Sequence, residues 1–332
     1  MLLHYRPWQG TFHRPLWVVW PIARVALGML LRRRMFWVLY AFGLLLFLMF
    51  FFGTYLFAWA EAQLATAVAQ PGRIGPDPRQ VLRFVRQALR VLNGGRDTFQ
   101  YFFAYQGSIV IVTLSLAGAV LVGNDFTQRS LVFYLAKPIR RWHYLLGKGL
   151  AVAAVVTLMT TLPALVLFGQ HALDDWDYLF DPDYFTRNVE AMPGSLLEAD
   201  VASPGPAGPR LLLGVLGYGA LLASFLSILL VATASWMRRT MPLIMVWVSL
   251  FFFLRLLANI LVEGLKYDVH WRLLDLWGSL TLLGQACLGF EHEQIAPKPQ
   301  PEFWAAALVL AGVSSVCLIY LNLRTRGVEV VR

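Results

Sequence analysis

The sequence predicts an all-α fold, a polytopic membrane protein with six transmembrane helices. Three observations carry the prediction. The chain has 332 residues, 58% of them hydrophobic, whereas soluble domains lie near about 45–50%. Its apolar residues gather into six nearly uncharged runs, each close to the ~20 residues that cross a bilayer as a helix. Its basic residues crowd into alternate loops. A transmembrane β-barrel needs short alternating strands, and these runs are too long and too uniform for that.

Residues 1–34 form the cytoplasmic entry segment. Within it, 16–30 is a short apolar stretch broken by Pro21 and Arg24. The expectation is an interfacial helix on the inner leaflet, with Trp17 and Trp20 at headgroup level. It lacks the layout of a cleavable signal, because the first long run begins only after Arg32-Arg33-Arg34 and is span-length. The six spans are expected at about 35–60, 101–123, 146–170, 211–235, 241–263 and 303–323. They form a single transmembrane domain over 1–332.

Charge orients the chain. The entry segment, the 124–148 link, the Arg238-Arg239 turn and the C-terminal tail together hold sixteen Lys/Arg and two acids, Asp125 and Glu329. The opposite segments, 61–100, 171–210 and 264–302, hold eleven Lys/Arg and sixteen acids. The first set is therefore cytoplasmic and both termini lie inside. The same distribution accounts for the net charge of +9 by topology and leaves no case for nucleic acid.

In the outer segments, 71–78 and 203–209 are Pro/Gly-rich loops. Between 79 and 92, Arg79, Arg83, Arg86 and Arg90 share one helical face opposite Leu82, Val85 and Leu89. That face either meets phospholipid headgroups or is a solvated cover over a neighbouring loop. Residues 273–290 are apolar, but a seventh crossing would set the acidic 291–302 segment inside and the basic tail outside. The expectation is a re-entrant or interfacial outer hairpin before the last span.

Chemistry-bearing motifs are few. Cys287 and Cys317 have no metal or redox spacing. The only Gly-Lys pair is Gly147-Lys148, without the glycine that a phosphate-cradling loop requires upstream. ATP hydrolysis, if the protein uses it, is supplied by a partner. Five carboxylates between Asp174 and Asp183 lack the glycine turn of a calcium loop and read as solvated acids. His143 and His171 have no partner at catalytic spacing, so no catalytic residue and no metal ligand is assigned.

The 124–148 link is the most informative stretch. Asp125 starts a short helix, where a carboxylate caps exposed N–H groups and complements the helix dipole. Leu131, Tyr134 and Leu135 would line one face, with Arg129 free to reach a partner acid. Pro138 ends the helix. Lys137, Arg140 and Arg141 are basic, Trp142 and Tyr144 belong at headgroup level, and Lys148 would snorkel from the start of the third span.

That order, from Asp125 through FYLAKPIRRWHYLLGK at Phe133 to Lys148, resembles the link between the second and third spans in permease subunits of type-2 ABC exporters. Asp125 and Gln128-Arg129-Ser130 stand where the commoner version has Glu-Lys-x-x-Gly-Thr, so subfamily and cargo do not follow from the match. The resemblance implies a half-transporter in a bacterial inner membrane. It would pair with a second permease subunit, identical or different, and each would sit on a cytosolic ATPase that binds ATP and Mg. The 125–136 helix would be the coupling helix. The coupling residues would be Asp125, Arg129, Leu131, Tyr134, Lys137, Pro138, Arg140, Arg141, Gly147 and Lys148. The chain itself would need no cofactor and catalyse nothing.

Arg255 is the one charge deep in a span, a placement that costs ~2.5–3.5 kcal/mol on insertion scales. Asn259 and Glu263 follow at one-turn intervals on the same face. They form either a structural pairing near the outer leaflet, with Arg255 snorkelling toward water, or a polar lining of a translocation path or dimer seam. Gln106 and Thr113, with Tyr101, Ser108 and Ser115, are similar candidates in the second span, where such residues also simply pack helices. Two other functions stay in view. One is a membrane subunit that transmits force without passing substrate. The other is an integral enzyme acting on membrane lipid.

Overall fold

A computed structural model describes residues 19–68, 92, 94–123, 141–174, 176–181, 208–237, 239–292, 295 and 299–326. Every regular element among them is helical. Six helical stretches are long and apolar enough to cross a membrane: Arg34–Gly53, Arg96–Gly123, Trp142–Leu173, Gly208–Trp236, Thr240–Gly264 and Phe303–Arg324. They coincide with the six expected runs, because a 20-residue apolar run has no other way to satisfy its backbone in hydrocarbon.

Helix α1 (Val19–Leu31) precedes the first span. It buries Ile22, Ala23, Ala26 and Leu30, a stripe at helical spacing, and leaves Trp20 exposed. The stripe packs on the start of the third span, where a side chain on Gly147 would come within 2.8 Å of Ile22. Gly147 is thus a close-approach glycine that lets the two helices meet. A turn at Arg32-Arg33, closed by Arg33 N–H to Leu30 O at 2.9 Å, leads into α2 (Arg34–Val68). At 35 residues this helix is about 52 Å long, so it extends well past its own 20-residue apolar window.

The second span is α3 (Arg96–Gly118), continued by a π turn at Ala119–Gly123. The third is α4 (Arg141–Met159) and α5 (Thr161–Asp174), a nearly continuous pair with Pro163 in the first turn of α5. A one-turn helix, α6 (Asp177–Phe180), follows. The fourth span is α7 (Gly208–Trp236). The fifth is composite: α8 (Thr240–Val248), a π turn at Ser249–Phe253, α9 (Leu254–Asn259) and a second π turn at Ile260–Gly264. After a 3-10 segment at Val269–Leu274 comes α10 (Leu276–Cys287), and the last span is α11 (Phe303–Arg326).

Burial separates centre from periphery. Spans two and four bury 75% and 67% of their apolar windows, but spans one, five and six only 17%, 22% and 22%. Helix α7 is the hub, packing against α3, α4, α5, α10 and α11. The predicted hairpin contains α10, which is inserted between helices and buries Leu276, Trp277, Ser279, Leu280 and Leu282. Small residues make room for it: Gly107 lies against the Trp277 ring, and Gly284 against Tyr218.

Candidate functional site

Among the described residues, three groups of polar contacts involve the residues that the sequence singled out. The first joins the two ends of the link. Asp125, Arg129, Leu131, Tyr134, Lys137, Pro138 and Arg140 lie outside the described residues, as does the 79–92 segment except Leu92. Arg141 opens α4. Gly147 holds α1, and Lys148 is not at the surface. Its side chain is 2% exposed, and its ammonium donates to Leu121 O at 2.7 Å while lying 5.9 Å from the Tyr144 ring centroid. The expected snorkelling therefore gives way to a helix-end contact. Leu121 sits in the π turn that closes span two, where carbonyls lack intrahelical donors. A cation there also complements the negative end of the helix dipole. One side chain at the entry of span three thereby ties down the exit of span two.

The second place is the middle of span three. Pro163 has no N–H, so the carbonyl four residues earlier, Met159 O, loses its helical donor. The flanking bonds persist: Thr160 N–H donates to Val156 O at 2.8 Å and Ala164 N–H to Thr160 O at 3.0 Å. Gln106 supplies the missing donor from span two, its Nε2 reaching Met159 O at 2.6 Å. Gly43 of span one backs this amide, since a side chain there would come within 2.7 Å of it. Thr113 is buried and donates to Ile109 O of its own helix at 2.8 Å. The sequence reading singled out Gln106 but not its partner. The signal that joins them is a proline inside an apolar span, which demands a donor from a neighbouring helix.

The third place surrounds span five. Arg255 is half exposed, and its Nε lies 3.9 Å from the Asp275 carboxylate, itself 12% exposed. Glu263 is not paired with Arg255. It accepts from Arg272 Nη2 at 2.7 Å, and Asn259 is exposed. Asp275 was not singled out from sequence, although an acid just before an apolar helix is a helix-start signal. Burial pushes its carboxyl pKa up. The nearby Gly278 and Trp277 N–H groups, which close no capping hydrogen bond, pull it down, as do the Arg255 and Arg272 charges.

Just before span two, Tyr178 OH donates to Gly94 O at 2.9 Å and Gly94 N–H donates to Thr98 Oγ1 at 3.0 Å. Gly94 has φ 76° and lies against the His171 ring, so this corner needs glycine's freedom in the left-handed region. Compared with protein-family models and with curated proteins, the chain matches none of either.

Proposed function

We propose that this chain is the membrane-spanning permease subunit of an ATP-driven type-2 ABC exporter, docked through its 125–148 link to a separate cytosolic ATPase. The membrane architecture is the firm ground: six apolar helices long enough to span. The observation that carries the reading is the order of residues between spans two and three, with its two flanking ends held together by the Lys148 to Leu121 hydrogen bond. A lever works only if its ends cannot slide independently, and a buried cation on a helix-end carbonyl prevents that sliding. On this reading the link and both termini face the cytosol, in agreement with the charge asymmetry of the loops. The 276–287 helix enters the membrane from the outside and returns as a re-entrant hairpin. It is buried between spans, and it is too short at 12 residues to cross. A second permease subunit covers part of the exposed apolar flank.

The test is co-purification. From membranes of the native host, the wild-type chain is expected to carry an ATP-hydrolysing protein with a phosphate-binding loop. Reversing charge at both contact positions, Asp125→Lys with Arg129→Glu, should abolish that complex while leaving the yield of folded permease unchanged. An equal yield of complex from the variant would remove the link from the docking surface.

A further inference from the structure

We propose that the flank of span five binds a phospholipid of the outer leaflet, its phosphate on Arg255 and one acyl chain in the groove between spans one, two and five. This goes beyond the transport reading and rests on it only for which leaflet is meant. Arg255 lies 15 residues beyond Thr240 in span five, about 22 Å along the helix axis. With Thr240 at the inner boundary of a hydrocarbon core about 30 Å thick, the Arg255 backbone sits roughly 8 Å short of the far boundary, within snorkelling reach of the phosphates. Around it Phe252, Phe253, Leu256 and Ile260 are all exposed and apolar. The guanidinium contacts Asp275 through Nε alone, at 3.9 Å, so its two Nη groups have no partner among the described residues. A planar fork of N–H donors facing lipid is built for a phosphate.

The tail has a place as well. One turn deeper, Phe252 borders an apolar groove of ≈ 440 Å³ whose other walls include Phe42, Leu46 and Met49 of span one and Ile109 and Val112 of span two. Phe252 and Arg255 are three residues apart, so groove and cation lie on adjoining surface of one helix. A second copy of the chain docked on this flank would offer Arg255 a poorer counterpart. An isologous contact presents the same residues, and the nearby Glu263 already accepts from Arg272.

Native mass spectrometry of the purified full chain tests this, with phosphatidylglycerol, dioleoylglycerol and inorganic phosphate as probes. The wild type is expected to retain phosphatidylglycerol at least about tenfold over dioleoylglycerol, the range that charge-assisted hydrogen bonds provide. Inorganic phosphate should not displace it. Arg255→Gln should erase the headgroup preference and Arg255→Lys keep part of it. Val112→Trp, which fills the groove without touching Arg255, should weaken retention of both lipids. Unchanged preference in Arg255→Gln, displacement by inorganic phosphate alone, or a Phe252→Cys disulfide between copies that accompanies loss of lipid would each overturn the proposal. None of these readouts involves the ATPase, so failure here leaves the docking assignment to its own test.

Discussion

At the residue scale, the interior is organised by backbone carbonyls that a helix cannot satisfy by itself. Met159 O is left open by Pro163 and closed by Gln106 at 2.6 Å. Gln106→Leu keeps the volume and removes the donor, so an unpaired carbonyl stays buried and stability should fall by about 1–3 kcal/mol. Pro163→Ala returns an N–H to the helix. In that background the cost of Gln106→Leu should largely vanish, which thermal unfolding of the four members of the cycle would read as coupling. Additive losses would show that Gln106 acts by packing alone. Residues of this kind are half-legible in sequence. A glutamine in an apolar span announces a polar contact, but its partner is a main-chain atom that no residue letter records. Arg255 is the same case: its isolation is plain from the letters, whereas its contact with Asp275 depends on how the 269–274 segment folds back.

At the element scale, spans two and three behave as one piece because Lys148 caps Leu121. Lys148→Met preserves length and apolar bulk but loses a hydrogen bond to a charged donor, worth about 1.5–3 kcal/mol. The expected outcome is a lower melting temperature in detergent with partner binding intact, and ATP hydrolysis in the complex that no longer responds to the permease. Response equal to wild type would restrict Lys148 to a structural role. Most elements were readable, since apolar length decides whether a helix spans. Helix α10 resisted, because a 12-residue apolar helix suits both a buried insertion and an interfacial hairpin. The π turns in span five were not readable at all. They alter helix phase without altering composition.

For the whole molecule, hydropathy and charge together specify a six-span body with a buried centre, spans two and four, and an apolar periphery, spans one, five and six. The periphery presents apolar surface, and the centre is cross-tied by the Gln106 and Lys148 hydrogen bonds. Architecture was therefore legible from composition and run length. The proposed docking partner rests only on the order of residues in 125–148, a resemblance that hydropathy does not supply.

Site-specific photo-crosslinking in intact cells tests that partnership most directly. A photoreactive residue replacing Tyr134 in the link should capture an ATP-hydrolysing protein, and one replacing Arg90 in the 79–92 segment, on the opposite side of the membrane in the proposed topology, should not. Capture of that protein from position 90, or capture from neither position, would contradict the account.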